Sequence, residues 1–323
     1  MSNEDLFVNK GNNLLIVDCL NLCFRFKHER YKADDIAPPE WATLDDLIEV
    51  MREELEDKYF FTEYVNTVES LARSYKASKI ILVGDLGGST WRKNLYPEYK
   101  GDRAEKYANE PLVNQAASRV FMEHYKRLLE DLEAYEEFQL IVEYGIEADD
   151  LATYLVLNHS DKYEHTWLVS SDEDWDLLIR DNVSRFNWAT KNTWKNVTKT
   201  GPRPKEITVD NWSEHHAYNQ DQYLCYKALT ADEDNIKGVK GIGPKRGIDL
   251  INKYGTLEKL IAALPITTSK AAYIRELNAY GEQLKLNKKL MDLVSYNEEI
   301  VPIQVKRRLL QIMPNCNAST LTM

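Results

Sequence analysis

Carboxylates set at the ends of apolar runs carry the first chemical signal. Asp18 closes LLIVD, Asp85 closes IILVGD, Asp172 and Asp174 follow WLVSS, and QLIVEYGIEADD reaches Glu147, Asp149 and Asp150 after a glycine turn. Acids placed directly after Leu, Ile and Val runs lie partly beneath whatever covers those runs. Two carboxylates about 4 Å apart repel by about 4 kcal/mol at an effective dielectric near 20, so a pocket holding several of them takes up protons or gathers cations. Hard divalent ions take oxygen ligands, and a pair of them serves both the attacking water and the leaving oxygen of an in-line phosphodiester displacement. The pattern predicts a two-metal phosphoryl-transfer hydrolase. A simpler use exists for Glu147, Asp149 and Asp150, which precede LATYLVL where a helix should begin, but one or two acids suffice to cap it. SSDEDWDLL imitates a calcium loop and fails its pattern, with Leu177 where Gly is required and Val183 where Glu should close it. Asp176 turns away from Asp172 and Asp174 if a helix starts there, and is read as a cap or the partner of a basic neighbour.

Positioning these acids falls to four short runs, Leu14 to Val17, Lys79 to Val83, Gln139 to Val142 and Thr166 to Val169, which alternate with helical patterns. That alternation predicts a parallel sheet covered by helices, with its site outside the carboxyl ends of the strands. From Leu86 to Pro111, Arg92, Lys93, Lys100, Arg103 and Lys106 are interleaved with Trp91, Tyr96, Tyr99 and Tyr107, a mixture that suits a surface tracking a nucleic-acid strand. Between Asp34 and Asp57 ten acidic residues accompany one basic residue, Arg52, and the spacing of Leu44, Leu47, Ile48, Met51 and Leu55 predicts an amphipathic surface helix.

After GPRPKEITVD the strand signal fades, which places a boundary between 1–204 and a helical region at 205–323. Helical stretches are expected at Ser269 to Ala279 and Gln283 to Val294. GVKGIGPKRG fits neither dinucleotide nor P-loop fingerprints. It reads as a helix, a tight turn and a second helix over 235–255, with Gly238, Gly241 and Gly243 permitting close backbone and Pro244 in the next helix's first turn. Free amides there, with Lys240, Lys245 and Arg246, would meet a phosphate in a sequence-independent, salt-sensitive contact. The bland alternative is a glycine-containing connection with solvated lysines.

The 323 residues suffice for about two domains, and 43% hydrophobic residues exclude disorder as the main state. A formal charge of −11, from 52 acidic and 41 basic residues, opposes sequence-blind adhesion to nucleic acid or anionic lipid. Nucleic-acid contact must then be local. No apolar run approaches about 18 residues and MSNEDLFVNKGNN has no signal-peptide pattern, so a soluble cytoplasmic protein without membrane contact is expected. The cysteines at 19, 23, 225 and 316 form no Cys-x-x-Cys pair and are read as reduced thiols.

Taken together, LLIVDCLN, LVGDLGGS, PEYKGDR, GIEADDLA, VSSDEDWDLL and DNIKGVKGIGPKRG, in this order over most of 12–292, resemble the flap endonuclease and 5′-3′ exonuclease family, especially its bacteriophage branch. The resemblance implies a PIN-like α/β nuclease domain with a helical arch, here about 86–130, and a helix–three-turn–helix DNA-binding element. It implies two magnesium ions, replaceable by manganese, and hydrolysis of DNA with 5′ flaps or ends and of RNA primers in RNA–DNA hybrids. Asp18, Asp85, Glu147 and Asp149 match the first metal's positions; Asp150, Asp172, Asp174 and Asp234 match those around the second. Tyr99, Lys100 and Arg103 match the arch base, where the lysine stabilises charge on the scissile phosphate and the tyrosine stacks on a base. Lys245 and Arg246 match duplex phosphate contacts, Gly238, Val239, Gly241 and Ile242 the turn backbone with its potassium ion, and Lys227 a further DNA contact. Replication proteins as partners, a monomer, and the host cytoplasm belong to the same expectation.

Three departures stand out. Thr230-Ala231-Asp232-Glu233-Asp234-Asn235 replaces the family's Gly-Asp-x-x-Asp-Asn, so Ala231 occupies a carboxylate's place and Asp232 is the expected substitute. Val-Asp-Cys-Leu-Asn keeps Asp18 and Asn21 but loses a permissive glycine. The acidic segment at about 31–58 looks like an insertion. The rival readings are a DNA-junction binder impaired by Ala231 and a PIN-domain ribonuclease.

Overall fold

The computed structural model describes residues 11–30, 42–54, 57–189 and 205–313. Six strands form one sheet: β1 (Asn13–Asp18), β2 (Ala77–Leu86), β3 (Gln139–Tyr144), β4 (His165–Val169), β5 (Val183–Phe186) and β6 (Glu206–Ile207), in the order β3-β2-β1-β4-β5-β6. All pairings are parallel except β5 with β6. The four predicted strands are present, and β5 and β6 extend them. β1 reads as an unbroken apolar run because both faces are covered: Leu15 and Val17 enter one core, Leu14 and Ile16 the other, all fully buried. Each such side chain contributes about 1.5–3 kcal/mol through burial. Because β1 pairs with β2 on one side and β4 on the other, the topological switch opens a crevice at the carboxyl ends of β1 and β4.

Helices Cys19–Arg30, Asp57–Ser74 and Leu112–Glu133 cover one face, and Ala148–His159 the other. This corrects the extent of the arch. Leu112–Glu133 is a core helix burying Val120, Phe121, Tyr125 and Leu128, so the longest mostly exposed stretch of 86–130 is 101–112. The acidic segment is partly resolved into a role as well. Helix Leu44–Glu54 buries Leu47, Ile48 and Met51 against the core, and Arg52 makes 2.8 Å contacts with both Glu123 carboxylate oxygens. Residues 31–41 and 55–56, the rest of that reading, lie outside the described residues, as does Cys316; Cys19, Cys23 and Cys225 are free and buried.

Helices Gln220–Thr230 and Pro244–Tyr254 flank a two-stranded hairpin, β7 (Asp232–Glu233) and β8 (Ile236–Lys237), and share a core with Leu257–Ala262, Ala272–Ala279 and Gly281–Met291. The last helix, Ile303–Ile312, returns to the sheet, where Val305 and Leu309 join the second core. The described residues 205–313 are therefore not one separate helical body, a point their amphipathic period alone could not reveal.

Candidate active site

The crevice collects the strand-end acids. Asp18 is 5% exposed and accepts hydrogen bonds from the Asn21 amide at 3.0 Å and Ser170 Oγ at 3.1 Å. Asp85 reaches across to accept the Ala148 amide at 2.8 Å, satisfying a donor at the start of helix Ala148–His159. Glu147, at the N-cap position of that helix, makes no capping bond. Its carboxylate instead accepts Lys100 Nζ at 2.5 Å, Arg92 Nη1 at 3.0 Å and the Tyr99 hydroxyl at 3.1 Å. Asp149 accepts Trp175 Nε1 at 2.6 Å, and Asp172 caps a 3₁₀ turn through the Asp174 amide at 2.8 Å. Acid at the helix start therefore does more than capping.

Burial, followed by repulsion from Asp85 and Asp149, holds the Asp18 carboxyl well above its ordinary range. Asp149 is raised by burial and then by Asp172 and Asp85, Asp85 by burial and by Glu147, and Asp172 by burial against the opposing pull of Lys227. Glu147 alone moves the other way: burial pushes it up, but Lys100 and Arg92 outweigh that cost. A cavity of about 140 Å³ is lined by Asp149, Asp172, Asp174, Asp234, Lys100 and Lys227 among others. Among the described residues no three His, Cys, Asp or Glu side chains are gathered tightly enough to ring one ion. Lys100 and Lys227 stand between them: Lys100 pairs with Glu147 and lies 3.7 Å from Asp234, and Lys227 pairs with Asp174. Hard oxygen donors whose charges destabilise one another fit divalent cations.

Asp234 comes from the hairpin. Asp234 and Asn235 have φ of 54° and 61°, the conformation of a two-residue type I′ turn that Asp and Asn tolerate. The turn is locked to the arch base, since the Lys100 amide donates to the Asp234 carbonyl at 2.9 Å and Arg103 bonds Asp234 Oδ1 at 2.5 Å. Lys100 itself has φ of 56°, a left-handed setting that costs energy and recurs at functional sites.

Several sequence expectations need correction. Asp150 is fully buried and gives both carboxylate oxygens to Arg92, at 2.7 and 2.9 Å, so it does not face the cavity. Tyr99 is 5% exposed with its hydroxyl on Glu147, so its ring is no stacking platform. Lys227 faces the acids rather than a duplex surface. Asp232 is exposed and lines only an adjoining cleft, whereas Glu233 lines both cleft and cavity. In the glycine turn, Gly238 is required because a Cβ would lie 2.4 Å from the Leu229 carbonyl oxygen, and Gly241 by its φ of 81°. A Cβ on Gly243 meets nothing. Arg246 donates to the Gly241 carbonyl at 2.6 Å and lies over the Tyr273 ring, bracing the turn, while Lys240 and Lys245 are exposed. Arg92, expected on a strand-tracking surface, is 2% exposed and bonded to Asp150, and the sequence pattern does not mark Ser170, Trp175 or Glu233. For Arg92 the signal was only a place in a basic, aromatic stretch, which says nothing about burial.

Asp176 lies behind the site, bonded to Arg185 Nε at 2.5 Å and His216 Nε2 at 2.9 Å. Burial raises its pKa, but Arg185 and His216 prevail and bring it down to about 2. Against an unfolded value near 3.9 this contributes about 2–3 kcal/mol of stability. A depressed carboxyl contributes fully above its unfolded pKa and loses that contribution as pH falls through the folded one. In urea titrations the stability difference between wild type and Asp176→Asn should therefore shrink between about pH 4 and pH 2. A difference constant with pH would disprove the pairing.

A parallel-sheet domain with convergent carboxylates, joined to a glycine-turn helical element, defines a class of metal-dependent phosphodiester-processing folds. The family model of the 5′-3′ exonuclease N-terminal resolvase-like domain matches residues 13–203, and that of the 5′-3′ exonuclease C-terminal SAM fold matches 218–315. The chain belongs to the 5′-3′ exonuclease family. It is 37% identical over 295 residues to the flap endonuclease of Escherichia phage T5, covering 91% of this chain and 87% of that one. It is 28% identical over 265 residues to a 5′-3′ exonuclease of Mycoplasmopsis pulmonis, covering 80% and 78%. Among solved structures, phage T5 5′-exonuclease with bound zinc aligns at a TM-score of 0.77 with 35% identity, covering 94% of this chain and 100% of that one. A phage T5 flap endonuclease pseudo-enzyme–product complex with DNA and metal ions aligns at 0.76 with 34% identity, covering 94% and 99%.

Proposed function

We propose that this protein is a structure-specific 5′-nuclease, a divalent-metal-dependent flap endonuclease and 5′-3′ exonuclease. The observation that carries the reading is the convergence of Asp18, Asp85, Asp149 and Asp172 at the strand ends, where desolvation raises every carboxyl and repulsion from Asp85 and Asp149 adds to it at Asp18, and from Asp172 and Asp85 at Asp149. Asp18, Asp85, Glu147 and Asp149 would hold one magnesium ion, and Asp172, Asp174 and Asp234 a second. When bound, the ions supply Lewis-acid activation of water and of the phosphodiester oxygens. The chain's own contribution is positioning. Arg92 and Tyr99 orient Glu147, Ser170 and the Asn21 amide orient Asp18, and Trp175 orients Asp149. Lys100, released from Glu147, faces the phosphate and stabilises its developing charge. Arg103 stands beside it, while Lys240 and Lys245 flank the turn where a duplex backbone would lie.

The reading extends to RNA strands paired with DNA, and to a monomer acting beside replication proteins in a host cytoplasm. Residues 1–204 belong to the nuclease unit and 205 onward to the DNA-binding unit, apart from β6 and the returning helix Ile303–Ile312, which join the sheet and its core. Potassium is the cation assigned to the turn at 238–242. Lys100→Ala should cut cleavage of a 5′-flap substrate roughly tenfold or more while leaving DNA binding largely intact. Full cleavage with unchanged magnesium dependence would remove Lys100 from the mechanism.

A further inference from the structure

The family pattern that this sequence resembles has a carboxylate where Ala231 stands, and Ala231, which lines the cleft adjoining the acidic cavity, has no side-chain oxygen to offer. Two neighbours on β7 are available, Asp232 and Glu233, and they cannot both serve. Consecutive strand residues point to opposite faces, and the hairpin register fixes which is which: Asp232 stands opposite Lys237, and Glu233 opposite Ile236. Glu233 lines the cavity together with Asp172, Asp174, Asp234 and Lys227, whereas Asp232 does not.

Resting on the nuclease reading above, we infer that Glu233 is the carboxylate that completes the second divalent-cation site, in the place left empty by Ala231. Its longer side chain lets it reach the cavity from the hairpin strand, two positions further along the chain. Asp232 is left opposite Lys237 on the exposed side of the hairpin. Glu233 is also exposed, so it swings to an ion without leaving a buried charge unpaired, unlike Asp18 or Asp149.

Manganese binding to the full chain, followed by electron paramagnetic resonance and titration calorimetry without DNA, tests this. Wild type should bind two ions. Glu233→Gln should weaken the second by about tenfold to a hundredfold and leave the first unchanged. Asp232→Asn should bind like wild type, and Ala231→Asp combined with Glu233→Gln should regain the second ion. Loss of the second ion in Asp232→Asn but not in Glu233→Gln would overturn the assignment. Circular dichroism of each variant separates a lost ligand from a lost fold. Wild type binding ions yet failing to cleave flap DNA would count against the nuclease reading instead, leaving the ligand assignment to stand on the binding data.

Discussion

Arg92→Met should lower the unfolding free energy by about 3–5 kcal/mol, the cost of stranding a buried charge whose partner has been removed. The side chain is 2% exposed, yet every hydrogen-bonding nitrogen is used: two contacts to Asp150, one to Glu147, one to Ser89 Oγ, and one from Nε to the Leu290 carbonyl at 2.9 Å. It therefore ties the sheet's helix Ala148–His159 to helix Gly281–Met291. A buried ion pair is weak evidence of net stabilisation, because desolvation of both charges opposes their attraction. The expected result has a second half for that reason. Adding Asp150→Leu to Arg92→Met should restore most of the loss, since the stranded carboxylate is then gone. Urea midpoints of wild type, single and double variants measure both. A single-variant loss below about 1 kcal/mol would mean that Asp150 has another partner or that water reaches the pair.

Asp149→Asn carries the largest expected effect on activity, with opposite signs for stability and cleavage. Asn keeps an oxygen to accept Trp175 Nε1, so the local fold should survive. It removes one charge from a group in which burial, Asp172 and Asp85 all oppose ionisation. A carboxyl whose folded pKa exceeds its unfolded value subtracts stability fully above the folded pKa and nothing below the unfolded one. At neutral pH the metal-free variant should therefore unfold at a higher temperature than wild type. Added magnesium should raise the wild-type midpoint by more than the variant's, which keeps only the second ion's ligands. Lewis-acid catalysis is worth several kcal/mol, so losing an ion ligand should slow flap cleavage by roughly 10³-fold. A variant less stable than wild type without metal would show that the carboxylates are not in mutual repulsion.

How much of this was legible depends on the kind of signal. Asp18, Asp85 and Asp172 were readable because an acid directly after an apolar run has one place to be in a parallel sheet, at the strand's carboxyl end. The helix Ala272–Ala279 falls within its expected stretch, and Gly281–Met291 overlaps the one expected from Gln283 while starting ahead of it, because their apolar period is local. Partnership across the chain was not readable. Asp150 neighbours Asp149 in sequence, but one helical step turns it from the cavity to Arg92, and nothing local marks that arginine as buried. Tyr99 sits in a motif that suits stacking, yet its position under the hairpin turns the hydroxyl to Glu147. The choice between Asp232 and Glu233 depended on strand register, which a two-residue strand does not declare. Ile303–Ile312 has a clear amphipathic pattern, but only the tertiary fold says which core it joins.

The most direct test of the central claim is cleavage of a 5′-labelled flap duplex, with binding to the same substrate followed in parallel. Magnesium should support cleavage at the 5′ flap junction, and calcium or chelator should not. Asp172→Asn should bind the substrate and fail to cut it in magnesium. Tight binding with no cleavage in either magnesium or manganese would contradict the account, and would identify the chain as a junction-binding protein that no longer performs hydrolysis.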